Sequence, residues 1–421
     1  LCRIYWEDTA FRGQMEKLLQ AAYEHYEHKP LGAMIARMVY GTVLENSVSR
    51  LETYAACACR HFLQYGLSLQ EREEFGFEAS DMGTVYHAVL ENFAGKLAES
   101  NLTWWDFTED FAAKAVKESV EAYAATYGEA VLYSSARNEY AITRMSRILT
   151  RTVLTLQKHL KQGSFQPDDY ELSFRFAEDL DSIHVDLSED EKMHLQGRID
   201  RIDVAEDAEH VYVKVIDYKS GNTALDLTSV YHGLQLQLIV YLNAALEAEG
   251  KRYPGKEIVP AGIFYYRIQD PIVAREKTDE KTEESILKEL KLDGLVNGEE
   301  EVIEHLEANL TGSSLYYPLR RNQNGLLGSA SKALPQEKFE TVLAYTRAKQ
   351  KELKAEMYEG EVSALPYLLG EDTGCDFCAC KDICGFDQRI EGCEYRQLQK
   401  YSLEEAVECM KEKLGIKKSQ K

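Results

Sequence analysis

Apolar side chains alternate with polar ones in the middle of the chain and recur at helical spacing on both sides of it. Strand-like runs are predicted at residues 170–176, 193–204, 210–217 and 261–267. Helical spacing is predicted around and between these runs, at residues 11–41, 83–161 (three helices), 230–249, 279–311 and 335–359. Strands and helices that alternate in this way are typical of a mixed sheet flanked by helices, so the pattern predicts an α/β fold.

Two carboxylates and a lysine stand at the ends of two of the predicted strands. The polar stretch at residues 204–210 predicts a hairpin loop, which would bring Asp200 beside Asp217. Asp217 and Lys219 are two positions apart, so on a strand their side chains point to the same face. Two such carboxylates can hold a hard divalent cation, while the lysine orients or deprotonates a water and stabilises negative charge. This predicts metal-assisted hydrolysis of a phosphodiester; the alternative is two strand-end acids and a surface lysine.

Polar residues on two predicted helices could complete such a site. Gln237 and Tyr241 share one face of an otherwise apolar helix, where they need hydrogen-bond partners. The metal site or a DNA phosphate would supply those partners, and ordinary hydrogen-bonded core residues are the alternative. His87 follows Gly83 at the start of another predicted helix, where it is either a metal ligand or a structural histidine.

Taken in chain order, four motifs resemble those of the RecB-type nuclease family within the PD-(D/E)xK superfamily. The motifs are Gly83 to His87, Gly197-x-x-Asp200, Asp217-x-Lys219 and Gln237-x-x-x-Tyr241. The resemblance implies a PD-(D/E)xK, restriction-endonuclease-like mixed sheet flanked by helices, with helical insertions and a C-terminal iron–sulfur segment.

The resemblance also implies a catalytic set and a set of ligands for Mg²⁺. The catalytic residues would be Asp200, Asp217, Lys219, Gln237 and Tyr241. The metal ligands would be His87, Asp200, Asp217 and the carbonyl of Tyr218. Lys219 would be the catalytic lysine, and the glutamine and tyrosine would support the site or the DNA. Glu171, on the strand before the hairpin, is a further candidate for the acidic cluster.

The chain has nine cysteines, five of them between Cys375 and Cys393. An odd number without a secretory signal argues against a disulfide framework, and clustered thiols of this kind usually bind metal. Because no histidine lies in the cluster, either zinc or an iron–sulfur cluster would need four thiolates. Cys375, Cys378 and Cys384 provide three of them, and the fourth is local or distant.

The string from Ser47 to Phe62 resembles the start of the nuclease domain in the B subunits of AddAB-type helicase–nucleases. In that family one cysteine before the nuclease motifs and three after them hold a [4Fe–4S] cluster. The matching positions here are Cys57, Cys375, Cys378 and Cys384. Cys59 and Cys380 depart from the pattern and could compete as ligands. A zinc knuckle, or simply buried thiols, remains the alternative.

The net charge of −22 and the isoelectric point near 5.0 argue against a general nucleic-acid coat. Much of the acid is concentrated at residues 276–284 and 299–304, in segments that resemble solvated helical faces. A DNA track needs only a local stripe of lysine and arginine, and a partner protein can contribute more. The charge therefore argues against tight DNA binding by this chain alone, but not against nuclease chemistry.

The 421 residues can bury a large core and could form two or three domains. We expect residues 1–46 to be a helical segment that ends a helicase-like region. Residues 47–395 would be the nuclease domain, stapled from Cys57 to Cys384, and residues 396–421 a helical tail. The chain starts at Leu1, without Met or a signal peptide, and has no apolar run near the ~20 residues of a membrane span. We therefore expect an excised, soluble, cytoplasmic fragment with no membrane contact.

The function implied by the resemblance is that of a Mg²⁺-dependent DNA exonuclease that processes double-strand break ends for recombinational repair. Its substrates would be double-strand ends and single strands, and it would trim the strand that ends 5′. An AddA-type helicase–nuclease would be its heterodimer partner. One alternative is a non-catalytic DNA-end-binding module with a metal staple, but Asp200, Asp217 and Lys219 are all present. The other is a different RecB-type iron–sulfur nuclease, which the long interval from Cys57 to Cys375 disfavours.

Overall fold

The computed structural model describes residues 7, 9–23, 25–41, 43–72, 79–126, 133, 135–173, 180, 184–186 and 192–416. The strands are β1 (Val43–Ser47), β2 (Gln166–Ser173), β3 (His184–Asp186), β4 (Lys192–Gln196), β5 (Arg198–Glu206), β6 (His210–Lys219), β7 (Glu257–Arg267), β8 (Asp293–Asn297), β9 (Gly312–Ser313), β10 (Arg320–Arg321), β11 (Ala333–Leu334), β12 (Tyr367–Leu369), β13 (Asp372–Thr373) and β14 (Arg396–Gln397).

Helices precede the central strands, connect them and follow them. They are α1 (Thr9–Ala22), α2 (Ala33–Tyr40), α3 (Val48–Ala56), α4 (Ala58–His61), α5 (Ala79–Glu99), α6 (Glu109–Thr126), α7 (Ala136–Leu160), α8 (Leu227–Tyr231), α9 (Gln237–Arg252), α10 (Asp279–Glu289), α11 (Glu300–Leu306), α12 (Gln336–Glu359), α13 (Lys381–Cys384) and α14 (Leu403–Lys413). A π-helical turn at Phe62–Gly66 extends α4. Within the described ranges, no helix is both long enough and apolar enough to cross a bilayer.

In the described part of the chain, the central sheet has six strands in the order β11-β8-β7-β6-β5-β2. β5 and β6 form an antiparallel hairpin, in which Glu206 pairs with Val211. β7 runs parallel to β6, after a crossover through α8 and α9, and places Arg267 opposite Lys219. β2 and β8 pair antiparallel with β5 and β7, respectively. The parallel β6–β7 pair therefore brings two strand ends to the same edge of the sheet.

Alternating side chains of β6 enter two hydrophobic cores, one on each face of the sheet. Val211, Val213 and Val215 pack on the face covered by α3, α9, α12 and α14. Tyr212, Ile216 and Tyr218 pack on the opposite face, covered by α5, α6 and α7. By the strand's period of two, Asp217 and Lys219 lie on the α9 face.

Two predicted helical segments are interrupted, and each interruption has a local cause. The predicted helix at residues 11–41 is two helices, because Pro30 restricts the residue before it and Gly32 has a φ of +80°. The helix predicted at residues 230–249 instead begins at Gln237 and runs to Arg252. Gly233, with a φ of +81°, separates it from α8.

Two further predictions were wrong about where strands lie: one missed a strand, and the other joined two strands into one. The segment at residues 279–311 is not helical throughout, because β8 lies between α10 and α11. A Cβ atom at Gly294 would lie 1.9 Å from the Ile263 carbonyl oxygen, so the tight contact between β8 and β7 requires glycine. The run at residues 193–204 is likewise two strands, since the chain passes at Gly197 from β4, which pairs with β1, to β5 of the central sheet.

Candidate active site and cysteine cluster

The β5–β6 hairpin places Asp200 and Asp217 on neighbouring strands, one position beyond the Arg201–Ile216 pair. The Tyr218 N–H donates to Asp200 Oδ2 at 2.7 Å. Because the N–H and C=O of a strand residue point to the same side, the Tyr218 carbonyl also faces Asp200. Asp200 is 7% exposed and Asp217 is 1% exposed. Burial, with the charge of Asp200 beside it, raises the pKa of Asp217 to about 7.

His87, on α5, faces the carboxylates of β5 and β2. Its Nδ1 lies 3.2 Å from Asp200 Oδ1 and 3.6 Å from Glu171 Oε1. Burial opposes protonation of the imidazole, but the hydrogen bonds to Asp200 and Glu171 outweigh it and raise the pKa of His87 to about 10. One ligand atom from each of these residues lies within 4.8 Å of the other two. The three side chains could therefore converge on one cation.

Lys219 lies between Asp217 and the first residue of α9. Its Nζ is 2.8 Å from Gln237 Oε1 and donates a hydrogen bond to it. The Gln237 amide donates in turn to the Tyr241 hydroxyl at 3.0 Å. Lys219 Nζ also lies 2.8 Å from Asp217 Oδ2, with which it forms an ion pair.

The chemistry of these donors fits a hard divalent cation. Carboxylate oxygens, a backbone carbonyl and an imidazole are suitable ligands for such an ion. Gln237 contacts the lysine rather than supplying a ligand atom, and Tyr241 contacts Gln237.

The cysteines from the two ends of the chain meet beside α3. Cys57 directly follows α3, and a Cβ atom at Gly374 would lie 2.8 Å from the Ala56 carbonyl oxygen. Cys59 N–H donates to the Ser363 carbonyl, and Arg396 donates to that of Ala55. These contacts hold the loop that carries Cys375 against the start of α4.

Six thiols are close enough to influence one another electrostatically. Burial raises the pKa of Cys57 to about 11, and charge on Cys375 or Cys378 would raise it further. Burial similarly raises the pKa of Cys59 to about 12, and charge on Cys57, Cys384 or Cys380 would add to this effect. Such a set of sulfur donors fits an iron–sulfur cluster or a zinc ion. Cys2 lies outside the described residues.

A model of the PD-(D/E)XK nuclease superfamily matches residues 45–385 of the chain. The chain belongs to this superfamily. The membership confirms the predicted PD-(D/E)xK fold class. The matched range includes Asp200, Asp217 and Lys219, together with all six clustered thiols.

The chain is also similar to curated proteins named as the B subunits of ATP-dependent helicase/deoxyribonucleases. It is 38% identical to that of Lachnoclostridium phytofermentans over 414 residues, which are 95% of this chain and 34% of the relative. It is 36% identical to that of Thermoanaerobacter sp. strain X514 over 403 residues, 95% of this chain and 35% of the relative. For Clostridioides difficile strain 630 the identity is 35% over 416 residues, 97% of this chain and 36% of the relative. The chain thus spans about a third of the length of these relatives.

One residue near this PD-(D/E)XK site was missed by the sequence analysis. Glu52 Oε1 accepts the N–H groups of Leu236 and Gln237, at 2.6 and 2.9 Å. Burial raises the pKa of Glu52 to about 7, against the effect of these two hydrogen bonds. Glu52 is one helical turn after the buried Val48, so the helical period alone could have placed it on the inner face of α3.

Proposed function

We propose that the chain is a Mg²⁺-dependent exonuclease domain that hydrolyses DNA, within a protein of the AddB type. Similarity to the helicase/deoxyribonuclease relatives supports DNA as the substrate. The word subunit in the names of these relatives supports a protein that works with a partner. In this proposal the partner is of the AddA type, and the complex acts on double-strand break ends and trims the strand that ends 5′ for recombinational repair.

The observation that carries the proposal is a row of contacts at one end of the β5–β6 hairpin: His87 contacts Asp200, Asp217 lies beside Asp200 on the next strand, and Lys219 contacts Asp217. The two aspartates, the Tyr218 carbonyl and His87 would hold the cation. A divalent cation supplies Lewis-acid polarisation of the phosphodiester and lowers the pKa of water. His87 must lose its proton to act as a ligand, and until then its imidazolium balances the buried carboxylates.

The remaining residues position the lysine. Gln237 fixes Lys219 Nζ at 2.8 Å, and Tyr241 fixes the amide of Gln237. Held there, the ammonium group can orient a water for attack and stabilise the negative charge that develops on the phosphate oxygens. Glu171, 3.6 Å from His87 Nδ1, would complete the acidic cluster.

We further propose that the cysteines bind a [4Fe–4S] cluster through Cys57, Cys375, Cys378 and Cys384. The meeting of the two chain ends supports this, because it brings thiols from both together. The cluster would be architectural, since phosphodiester hydrolysis requires no redox step. Cys59 and Cys380 lie in the same group of thiols and are the competing ligands.

The proposal is tested by replacing Asp217 or Lys219 with alanine. Mg²⁺-dependent cutting of single-stranded DNA should fall by about 10²–10³-fold or more, with the melting temperature little changed. Lys256→Ala is a matched control, because Lys256 is as exposed as Lys219 (27%) and also forms an ion pair, but at the hairpin loop. Cutting by both site variants at the rate of the control would exclude these residues from the chemistry.

A further inference from the structure

A row of basic residues runs along the solvent-facing side of α7. Arg137, Arg144, Arg147 and Arg151 recur at intervals of seven, three and four residues, and Tyr140 falls on the same line. We call these five residues the basic stripe. The single carboxylate of α7, Glu139, lies off the stripe, about 120° away around the helix from its centre.

The stripe leads to the catalytic end of the sheet. Arg147 and Arg151 both pair with Asp270, the latter at 2.8 Å. Asp270 follows the end of β7, where the Ile268 N–H donates to the Lys219 carbonyl at 2.9 Å. A groove of about 440 Å³ opens here, lined by Arg144, Tyr86, Asp270 and the two residues after Lys219. The groove at the inner end of the stripe therefore begins at Ser220, the residue after Lys219.

The residues of the stripe are accessible to a large ligand. Arg144 and Arg137 are exposed, and the side chain of Arg147 is 58% exposed. Tyr140 is 64% exposed, so its ring is open to a ligand. Guanidinium groups bind phosphates, and an exposed ring provides a stacking surface for an unpaired base.

We propose that the basic stripe binds single-stranded DNA and guides it into the groove beside Lys219. Arg137, Arg144, Arg147 and Arg151 would contact successive phosphates, and Tyr140 would stack with a base. The inference rests on the proposed nuclease function and adds the path of the strand. A chain with a net charge of −22 repels DNA over most of its surface, so attraction has to come from a local concentration of positive charge such as this one.

Single-stranded rather than duplex DNA is indicated by Tyr140. In a duplex the base faces are stacked on one another and cannot reach a side chain on a helix surface, whereas unpaired bases can. The stripe is also straight, about 21 Å long from Arg137 to Arg151, which suits one extended backbone.

The test is equilibrium binding of a fluorescein-labelled oligothymidylate by the full chain, measured by fluorescence anisotropy in EDTA at several salt concentrations. Each of Arg144→Gln and Arg147→Gln should weaken binding and reduce the slope of log Kd against log salt by about 0.7. Tyr140→Ala should weaken binding about 5-fold or more, and Tyr140→Phe should restore it. The matched control is Arg347→Gln, an exposed arginine in the middle of α12 on the other face of the sheet.

Salt slopes in Arg144→Gln and Arg147→Gln equal to that of the control would overturn the proposal. Equal losses for the single strand and for a blunt duplex would overturn the single-strand assignment. Normal DNA binding combined with loss of a co-purified protein would instead assign the stripe to a protein partner. Binding is measured without Mg²⁺, so it is independent of cutting. The stripe proposal can therefore fail while Asp217→Ala still abolishes cutting, and the nuclease proposal can fail while the stripe still binds DNA.

Discussion

Individual carboxylates in this domain have unusual acidity because of where the fold places them. Asp217 in the site, Glu52 below it and Glu249 at the far end of α9 each have a pKa raised to about 7, with burial as the main cause. Asp217 and Glu52 lie next to positive or hydrogen-bonding groups that a catalytic site can use. Glu249 lies away from the candidate site, where Arg252 donates to its Oε1 at 3.3 Å, so it probes the energetic consequence of burial outside the site.

Glu249→Gln should stabilise the protein at neutral and higher pH. The folded-state pKa is raised, so the folded protein keeps a proton that the unfolded chain releases near pH 4.5. The free energy of unfolding due to this group therefore falls as pH rises from about 4.5 to 7 and then stays constant. We expect the variant to gain on the order of 1 kcal/mol at pH 8 and nothing at pH 4.5.

Urea unfolding at several pH values measures this difference. Glu257→Gln is the control, since its side chain is 66% exposed. A gain in Glu249→Gln that is the same at every pH would mean that the effect comes from packing, not from the buried charge.

At the scale of elements, α3 connects the clustered cysteines to Lys219. Its C-terminal end is followed by Cys57, and Glu52 on its inner face accepts the first N–H groups of α9. α9 in turn begins with Gln237, which holds Lys219. Two hydrogen bonds and one side chain thus link α3 to the ammonium group.

Glu52→Ala should slow DNA cutting much more than Glu52→Gln. Alanine leaves the Leu236 and Gln237 N–H groups without an acceptor, which costs about 1–3 kcal/mol of stability and frees the start of α9. Glutamine retains an acceptor oxygen in the same place. The measurement is kcat and KM for single-stranded DNA, and we expect the loss to appear in kcat. Equal losses in both variants would show that the charge of Glu52, rather than its hydrogen bonds, is what matters.

At the scale of the whole molecule, the cysteine cluster joins segments from opposite ends of the chain. Closing so long a loop lowers the conformational entropy of the unfolded chain and so stabilises the folded protein, although strain reduces this stabilisation. The same contacts bring the segment around Tyr26 into the structure, since its hydroxyl accepts the Ala364 N–H at 2.7 Å. The proposed cluster would therefore stabilise the domain as a unit.

Replacing Cys57, Cys375, Cys378 or Cys384 with serine should bleach the brown colour of anaerobically purified protein and lower its melting temperature. DNA binding should weaken as well, because the ends of the domain lose their fixed arrangement. Cys409→Ser is the control, since Cys409 lies on α14 beside Tyr401. Iron and sulfide analysis decides the cofactor, and zinc in place of iron would refute the cluster. If Cys59→Ser bleaches the protein and Cys57→Ser does not, the ligand is Cys59. The same comparison between Cys380→Ser and Cys378→Ser decides the second pair.

The sequence by itself determined the fold class and the residues from which the candidate site is built. Asp200, Asp217 and Lys219 could be placed together because a hairpin and a period of two are local properties of the chain. Helical periodicity likewise predicted α5, α6, α7 and α12. The PD-(D/E)XK motifs kept their order, so they could be recognised without knowledge of the contacts between them.

Only the tertiary structure decided the contacts that join residues far apart in the chain. Glu52 meets α9 across 184 positions, and no local pattern encodes that distance. β8 was hidden in a charged helical segment because its strand state depends on the close approach of Gly294 to β7. The basic stripe is visible in the sequence as spaced arginines, but its position beside Lys219 depends on how α7 packs against the sheet. Periodicity determines which face of an element is buried; the packing of elements determines which faces share a site.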